Sequence, residues 1–269
     1  MRQMALHHSI LALAATLLFT CPATAQDIPK ELLEDEHFLE EFGVNKLTTP
    51  SIRKIFDQLS RLEDLPYEKF QRDVPKTSSD RTKLALNLGG LIADGFFVVY
   101  TENLQDLEDV GRAILKHAAG LGAGARFTSH AKSLVEHSND GNSEKLRDEL
   151  ARTQADVEME MITLRDEDAV HLIGFGGWLR AFEVACAASL DPFDAGQAEI
   201  LRRVDIADYY VQEFETLHPD ILEKDYMTQL FKLLIEFRDV VDISPEQPLT
   251  EKQVLAMKQK VEQMVKLAF

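Results

Sequence analysis

One seam of regularly spaced residues in the middle of this chain constrains its fold more than any other feature. Its members are Leu146, Leu150, Thr153, Val157, Met161, Leu164, Asp168, His171, Phe175, Trp178 and Phe182. They follow one another in steps of four and three residues, which places all of them on one face of a helix. The pattern predicts one very long helix over residues 143–189, kinked at Gly174, Gly176 and Gly177, because glycine weakens a helix locally.

Helical spacing also dominates the rest of the chain, and few stretches alternate apolar and polar residues as strands do. We therefore predict an all-α protein, an irregular helical bundle with helical extensions at both ends. We divide the chain into a leader over 1–25, an N-terminal helical extension and linker over 26–78, a bundle core over 79–243, and a linker with a C-terminal amphipathic helix over 244–269. The two linkers contain proline.

The leader has the pattern of a secretory signal peptide. Arg2 supplies a positive charge, an apolar run follows over 9–19, and Ala23-Thr24-Ala25 has the small residues of a cleavage site. The run is too short for a transmembrane helix, and no later segment has the roughly 18 uninterrupted apolar residues that one needs. We expect cleavage after Ala25, export to the bacterial periplasm or the exterior, and no transmembrane segment in the mature chain.

Charge and cysteine content exclude further classes of protein. The chain has 46 acidic and 29 basic residues and a formal net charge of −17, which disfavours nucleic acid as a partner because the phosphate backbone would repel it. Cleavage of the leader removes Cys21 and leaves Cys186 alone, so that no internal disulfide can form. Cys186 lies among small apolar residues, which predicts a buried side chain rather than a nucleophile.

The most informative anomaly is a set of four polar residues inside apolar helical segments. Asn87 and Asp94 interrupt the apolar run over 84–99, and they share a helix face because they are seven residues apart. Arg180 and Glu183 interrupt the run over 176–185 in the same way. A buried charge without a partner is costly, so burial of either segment requires its charges to be paired.

Adjacent glycines occur in both of these segments, as Gly89-Gly90 and as Gly176-Gly177. We predict that the two helices cross at these glycine pairs, so that Asp94 meets Arg180, with Asn87 and Glu183 adjacent. Three interpretations of this cluster stay open. It is an internal ion pair that fixes the helix register, a polar pocket in which Arg180 binds an anionic or amphipathic ligand, or a set of side chains that face solvent.

A weaker candidate for a metal site consists of Asp168 and His171, which lie three residues apart on the seam. A structural zinc site needs three or four ligands, and a di-iron bundle needs Glu-x-x-His on two helices. The chain offers a single Asp-x-x-His. It also lacks the glycine-rich nucleotide motifs and the serine-nucleophile motif of hydrolases. We expect no cofactor and assign no catalytic residue.

Three hypotheses about function remain. The first is an exported, non-enzymatic helical protein that binds an unknown protein or small molecule. The second is an enzyme or small-ligand pocket at the cluster of Asp94, Arg180 and Glu183, with His171 as a further participant. The third is a metal-binding bundle centred on Asp168 and His171. The long seam could also pair two copies of the chain, so a homodimer stays open.

Overall fold

The computed structural model describes residues 52–59, Leu65 and residues 67–269. Within these residues, the chain forms helices joined by turns and irregular loops, and it contains no strand. The structure thus confirms the prediction of an all-α helical bundle. The predicted signal peptide over 1–25, and residues 26–51 of the predicted N-terminal extension, lie outside the described residues.

The long helices are α1 (Ile52–Gln58), α2 (Arg81–Tyr100), α3 (Leu107–Gly120), α4 (Gly124–Asn139), α5 (Ser143–Thr163), α6 (Glu167–Leu190), α7 (Val204–Thr216), α8 (Asp225–Val241) and α9 (Glu251–Ala268). Single α-helical turns occupy Tyr67–Phe70, Ala195–Ala198 and Pro219–Leu222. Short 3₁₀ turns occupy Leu104–Asp106 and Glu199–Leu201.

Helices α2 and α6 form the centre of the bundle. Both are apolar on all sides and buried along almost their whole length, because the other helices pack around them. By length and composition alone, α2 could cross a membrane, but nearly all of its residues are buried inside the bundle. The core helix of a globular protein has the same composition.

The backbones of α2 and α6 touch where the helices cross. A Cβ atom on Gly89 would overlap the carbonyl oxygen of Ile173 and would lie 2.6 Å from the backbone nitrogen of Gly177. A Cβ atom on Gly176 would overlap the carbonyl oxygen of Leu86. Only glycine fits at these two positions, so Gly89 and Gly176 set the register between the central helices.

The remaining helices cover this central pair on two sides. Helices α3 and α5 pack against α2, while α4 packs against α3 and α5. On the other side, α9 packs against α8 and α6, and α7 packs against α8. Trp178 of α6 lies in the aromatic core there, with ring centroids 5.2 Å from Tyr210 of α7 and 5.7 Å from Phe237 of α8.

The single very long helix expected over 143–189 is not confirmed, because α5 ends at Thr163 and α6 begins at Glu167. Between them, Arg165 has a φ of 55°, a left-handed conformation that ends the helix. The side chain of Asp166 then accepts a hydrogen bond of 3.0 Å from the backbone nitrogen of Ala169 and caps α6. Leu164 of the seam is 47% exposed. Helix α6 continues unbroken through Gly174, Gly176 and Gly177.

A substitution at the crossing tests its importance for stability. We expect Gly89→Ala to lower the free energy of unfolding by about 3 kcal/mol or more, because the new methyl group must push two backbones apart. Gly111→Ala in α3 is the matched control, since its Cβ would meet only a side-chain carbon of Leu134 at 3.9 Å. The control should gain up to about 1 kcal/mol from the better helix propensity of alanine. Denaturant unfolding measures the free energy of unfolding of both variants. Equal effects of the two substitutions would contradict the close crossing of α2 and α6.

Candidate functional site

The structure brings three of the four polar residues of the central helices together. Nε of Arg180 donates a hydrogen bond of 2.6 Å to Oδ1 of Asp94, and Nη1 of Arg180 donates to Oε2 of Glu183 one helical turn away. Arg180 is 2% exposed and Asp94 is 8% exposed. The crossing of α2 and α6 therefore places the carboxylate of one helix against the guanidinium of the other inside the core.

A second arginine, which the sequence analysis did not select, completes this cluster. Arg72 precedes α2 in an irregular segment, residues 71–79, that we call the strap. Its Nε and Nη2 atoms lie 2.8 and 2.6 Å from Oδ2 of Asp94. Its guanidinium carbon also lies 4.0 Å from the ring centroid of Phe269, a cation–π arrangement. Arg180 binds the chain just before the strap, because its Nη2 donates to the carbonyl oxygen of Phe70 at 2.6 Å.

The charges of this cluster compensate one another. Burial by itself would raise the pKa of Asp94, but Arg72 and Arg180 outweigh burial and hold that pKa below its ordinary value. Burial by itself would lower the pKa of Arg180, but Asp94 and Glu183 outweigh it and raise that pKa. Asp94 and Arg180 are thereby kept ionised at neutral pH, which is the state of an ion pair rather than of an acid–base pair.

Asn87 lies on the same face of α2 but makes different contacts. Its Nδ2 atom donates a hydrogen bond of 2.7 Å to the carbonyl oxygen of Lys83 in the preceding turn. Its Oδ1 atom is buried and has no hydrogen-bond partner among the described residues. Asn87 thus makes no described hydrogen bond to the ion-pair network that it was expected to join.

Asp168 and His171 have separate partners. Oδ1 of Asp168 accepts a hydrogen bond of 3.2 Å from the backbone nitrogen of His218, while Nδ1 of His171 lies 2.8 Å from Oε2 of Glu213 in α7. Within the described residues, no group of three or more His, Cys, Asp or Glu side chains is arranged to hold a metal ion. The pair therefore links α6 to α7 and to the chain that follows α7.

Two cavities in the described part of the chain lie away from the ion-pair network. One, of about 490 Å³, is lined by Gln58 and by polar and apolar residues between Asp194 and Ile200. The other, of about 440 Å³, is a cleft between the strap and α3. The strap contributes residues 74–77 to the cleft, and α3 contributes Asp109, Arg112, Ala113, Lys116 and His117.

His117 is the most unusual residue in the wall of this cleft. It is 1% exposed, and its Nδ1 atom lies 2.8 Å from the carbonyl oxygen of Ala113. Its Nε2 atom is buried without a hydrogen-bond partner among the described residues. Burial lowers the pKa of His117, partly offset by the hydrogen bond to Ala113, and a lowered pKa keeps the ring neutral at neutral pH.

The strap is held in place at both ends of the cleft. Arg72 attaches it to Asp94 in the core, and Oγ of Ser78 accepts a hydrogen bond of 3.0 Å from the backbone nitrogen of Asp80. Asp80 caps α2 through Thr82 and also binds Lys224 and Tyr226 near the start of α8. The ion-pair network thus anchors the start of the segment that forms one wall of the cleft, and the contacts of Asp80 hold the chain at its end.

The cleft was not predicted from the sequence, although the spacing of some of its lining residues is visible there. Arg112 and Lys116 are four residues apart, so that these two cations share a face of one helix. Nothing in the local pattern shows that the strap, more than 30 residues earlier, lies over this face. Comparison with family models, with curated proteins and with solved structures finds no match to this chain.

Removal of the charge on Asp94 tests the energetic importance of the network. We expect Asp94→Asn to lower the free energy of unfolding at pH 7 by about 3 kcal/mol, because two arginines lose the charge that compensates them in the core. Asp239→Asn is the matched control, since that carboxylate is 69% exposed and pairs with Arg238 at the surface. The control should change stability by less than about 1 kcal/mol.

The effect of Asp94→Asn should also depend on pH. Because the folded protein lowers the pKa of Asp94, the stabilisation is complete above about pH 4, the ordinary pKa of aspartate. It is lost as the pH falls through the lowered pKa, so the difference between wild type and variant should shrink in acid. Urea unfolding at several pH values measures the difference in the free energy of unfolding between wild type and variant. A difference that does not change with pH would show that Asp94 does not carry its charge in the folded protein.

Proposed function

We propose that this chain is an exported, non-enzymatic helical protein that binds a small molecule in the cleft between the strap and α3. The observation that carries the proposal is the group of charged side chains that lines this concave surface, Lys76, Asp109, Arg112 and Lys116. A concave surface with a few convergent polar groups is the usual form of a small-molecule site. The volume of about 440 Å³ falls within the range of small-molecule sites.

The chemistry of the buried ionisable groups supports binding rather than catalysis. A general acid or base needs a pKa near the working pH, whereas opposite charges move the pKa values of Asp94 and Arg180 away from neutrality. Burial raises the pKa of the Cys186 thiol, which makes it a poor nucleophile. Asp94 and Arg180 instead bind Arg72 of the strap and Phe70 just before it, and so act as part of the framework beside the cleft.

Export is the part of this proposal that rests on the leader sequence. The positive charge, short apolar run and small residues before Gln26 are those of a cleaved signal peptide. The mature chain would then lie in the bacterial periplasm or outside the cell. It would depend on its buried helical core for stability, since Cys186 would be its single cysteine.

Native mass spectrometry of the protein, purified from the extracytoplasmic fraction of its own host, tests both parts of the proposal. We expect a chain that begins at Gln26 and carries a small molecule that is released unchanged when the protein is unfolded. A spectrum of the unfolded protein is the control, because a covalently attached group would stay on the unfolded chain. A cytoplasmic chain that retains residues 1–25 would contradict export, and a chain without any bound molecule would contradict the binding function. The same spectrum gives the number of subunits.

A further inference from the structure

The middle of the strap lacks the backbone hydrogen bonds that hold the rest of the bundle together. In the described chain, the last such bond before it runs from the backbone nitrogen of Gln71 to Tyr67, and the next is accepted by the carbonyl oxygen of Asp80. The described side-chain hydrogen bonds of the strap come from Arg72 and Ser78, on either side of residues 73–77. A segment held by so few contacts opens locally at a small cost in free energy.

The same residues are exposed to solvent in an extended form. Asp73, Val74, Lys76 and Thr77 are all exposed. Because Pro75 follows Val74, contact with the proline ring keeps Val74 out of the helical conformation and favours an extended backbone. Exposed, extended segments of this kind are the preferred sites at which proteases cut a folded protein. The strap therefore has the form of a protease substrate.

One basic residue of the strap is available to such a protease. No hydrogen bond or ion pair is described for Lys76, and the residue that follows it, Thr77, is exposed as well. In the described chain, few lysines and arginines lie outside the helices and the 3₁₀ turns. They are Arg72, Lys76, Arg165, Arg202, Arg203 and Lys224.

The other five of these residues are held by contacts that Lys76 does not make. The side chains of Arg72 and Lys224 are bound by carboxylates, and that of Arg202 is bound by backbone carbonyl oxygens as well as by a carboxylate. Arg165 and Arg203 each donate a backbone hydrogen bond of 2.9 Å within a short turn. A protease would have to break these contacts before it could bind the chain there.

We propose that the strap is a processing site, at which a protease that recognises lysine cleaves the bond between Lys76 and Thr77 in the folded protein. The reaction is a hydrolysis that consumes one water molecule. The carbonyl carbon of Lys76 becomes a carboxylate, and the nitrogen of Thr77 becomes an ammonium group. This inference is independent of the proposed function, because it depends on the backbone of the strap and not on a molecule in the cleft.

Contacts on both sides of this bond predict that the two parts stay together after cleavage. On the N-terminal side, Arg72 remains bound to Asp94, and Phe56 of α1 remains in the core at 0% exposure. On the C-terminal side, Asp80 still caps α2 and binds Lys224. Cleavage would therefore divide one wall of the cleft into two ends while the bundle stays folded.

Limited digestion of the folded protein with trypsin, which cleaves after lysine and arginine, tests this inference. We expect the first cut within residues 67–269 to make Thr77 a new N-terminus, which mass spectrometry of the denatured digest identifies. A native mass spectrum should show both parts in one complex. Protein that is unfolded before digestion is the control, and it should be cut at many lysines and arginines because the fold no longer protects them.

Substitutions assign the cut to one residue. Lys76→Gln should slow the first cut at least about tenfold, because the protease loses the charge that its specificity pocket binds. Lys76→Arg keeps that charge and should be cut like the wild type. Lys132→Gln is the matched control, because the side chain of Lys132 is 79% exposed but its backbone lies within helix α4. This control should leave the rate of the first cut unchanged.

Three results would overturn the processing site. They are a first cut within residues 67–269 at any other residue, a rate that Lys76→Gln leaves unchanged, and separation of the two parts under native conditions. Lys76 is exposed and makes no described hydrogen bond, so its variants should fold, and a denaturant midpoint equal to that of the wild type checks this. Purified protein without a bound small molecule would contradict the proposed binding function alone.

Discussion

Contact between the backbones of α2 and α6 determines the arrangement of everything around them. At Gly89 and Gly176, no side chain fits between the two helices, so they have a single register in which they can approach closely. That register places Asp94 next to Arg180 in the core. Two charges buried together must then be satisfied completely, because each unpaired charge in a core would be strongly destabilising.

The carboxylate of Asp94 connects the core to the surface, because each of its oxygens binds a different arginine. One oxygen of its carboxylate binds Arg180, and the other binds Arg72 of the strap. The same ion-pair network therefore fixes the helix register and positions one wall of the cleft.

The sequence predicted the fold class and the meeting of Asp94 with Arg180 for physical reasons that are local. Apolar residues at helical spacing need a core, and a charge in such a segment needs a partner. The seam over 143–189 predicted one helix where there are two. A short loop whose length keeps the steps of four and three residues cannot be told from helix by spacing alone. The steps across Arg165 continue the pattern of four and three, although the chain there leaves one helix and begins the next.

The sequence by itself determined that this chain forms an all-α bundle with two central apolar helices, since periodicity and composition act within each helix. Only the tertiary structure decided that Arg72 completes the ion-pair network and that the strap and α3 line one cleft. Contacts of this kind join residues far apart in the chain. They depend on how the helices pack in three dimensions, which no spacing within a single segment encodes.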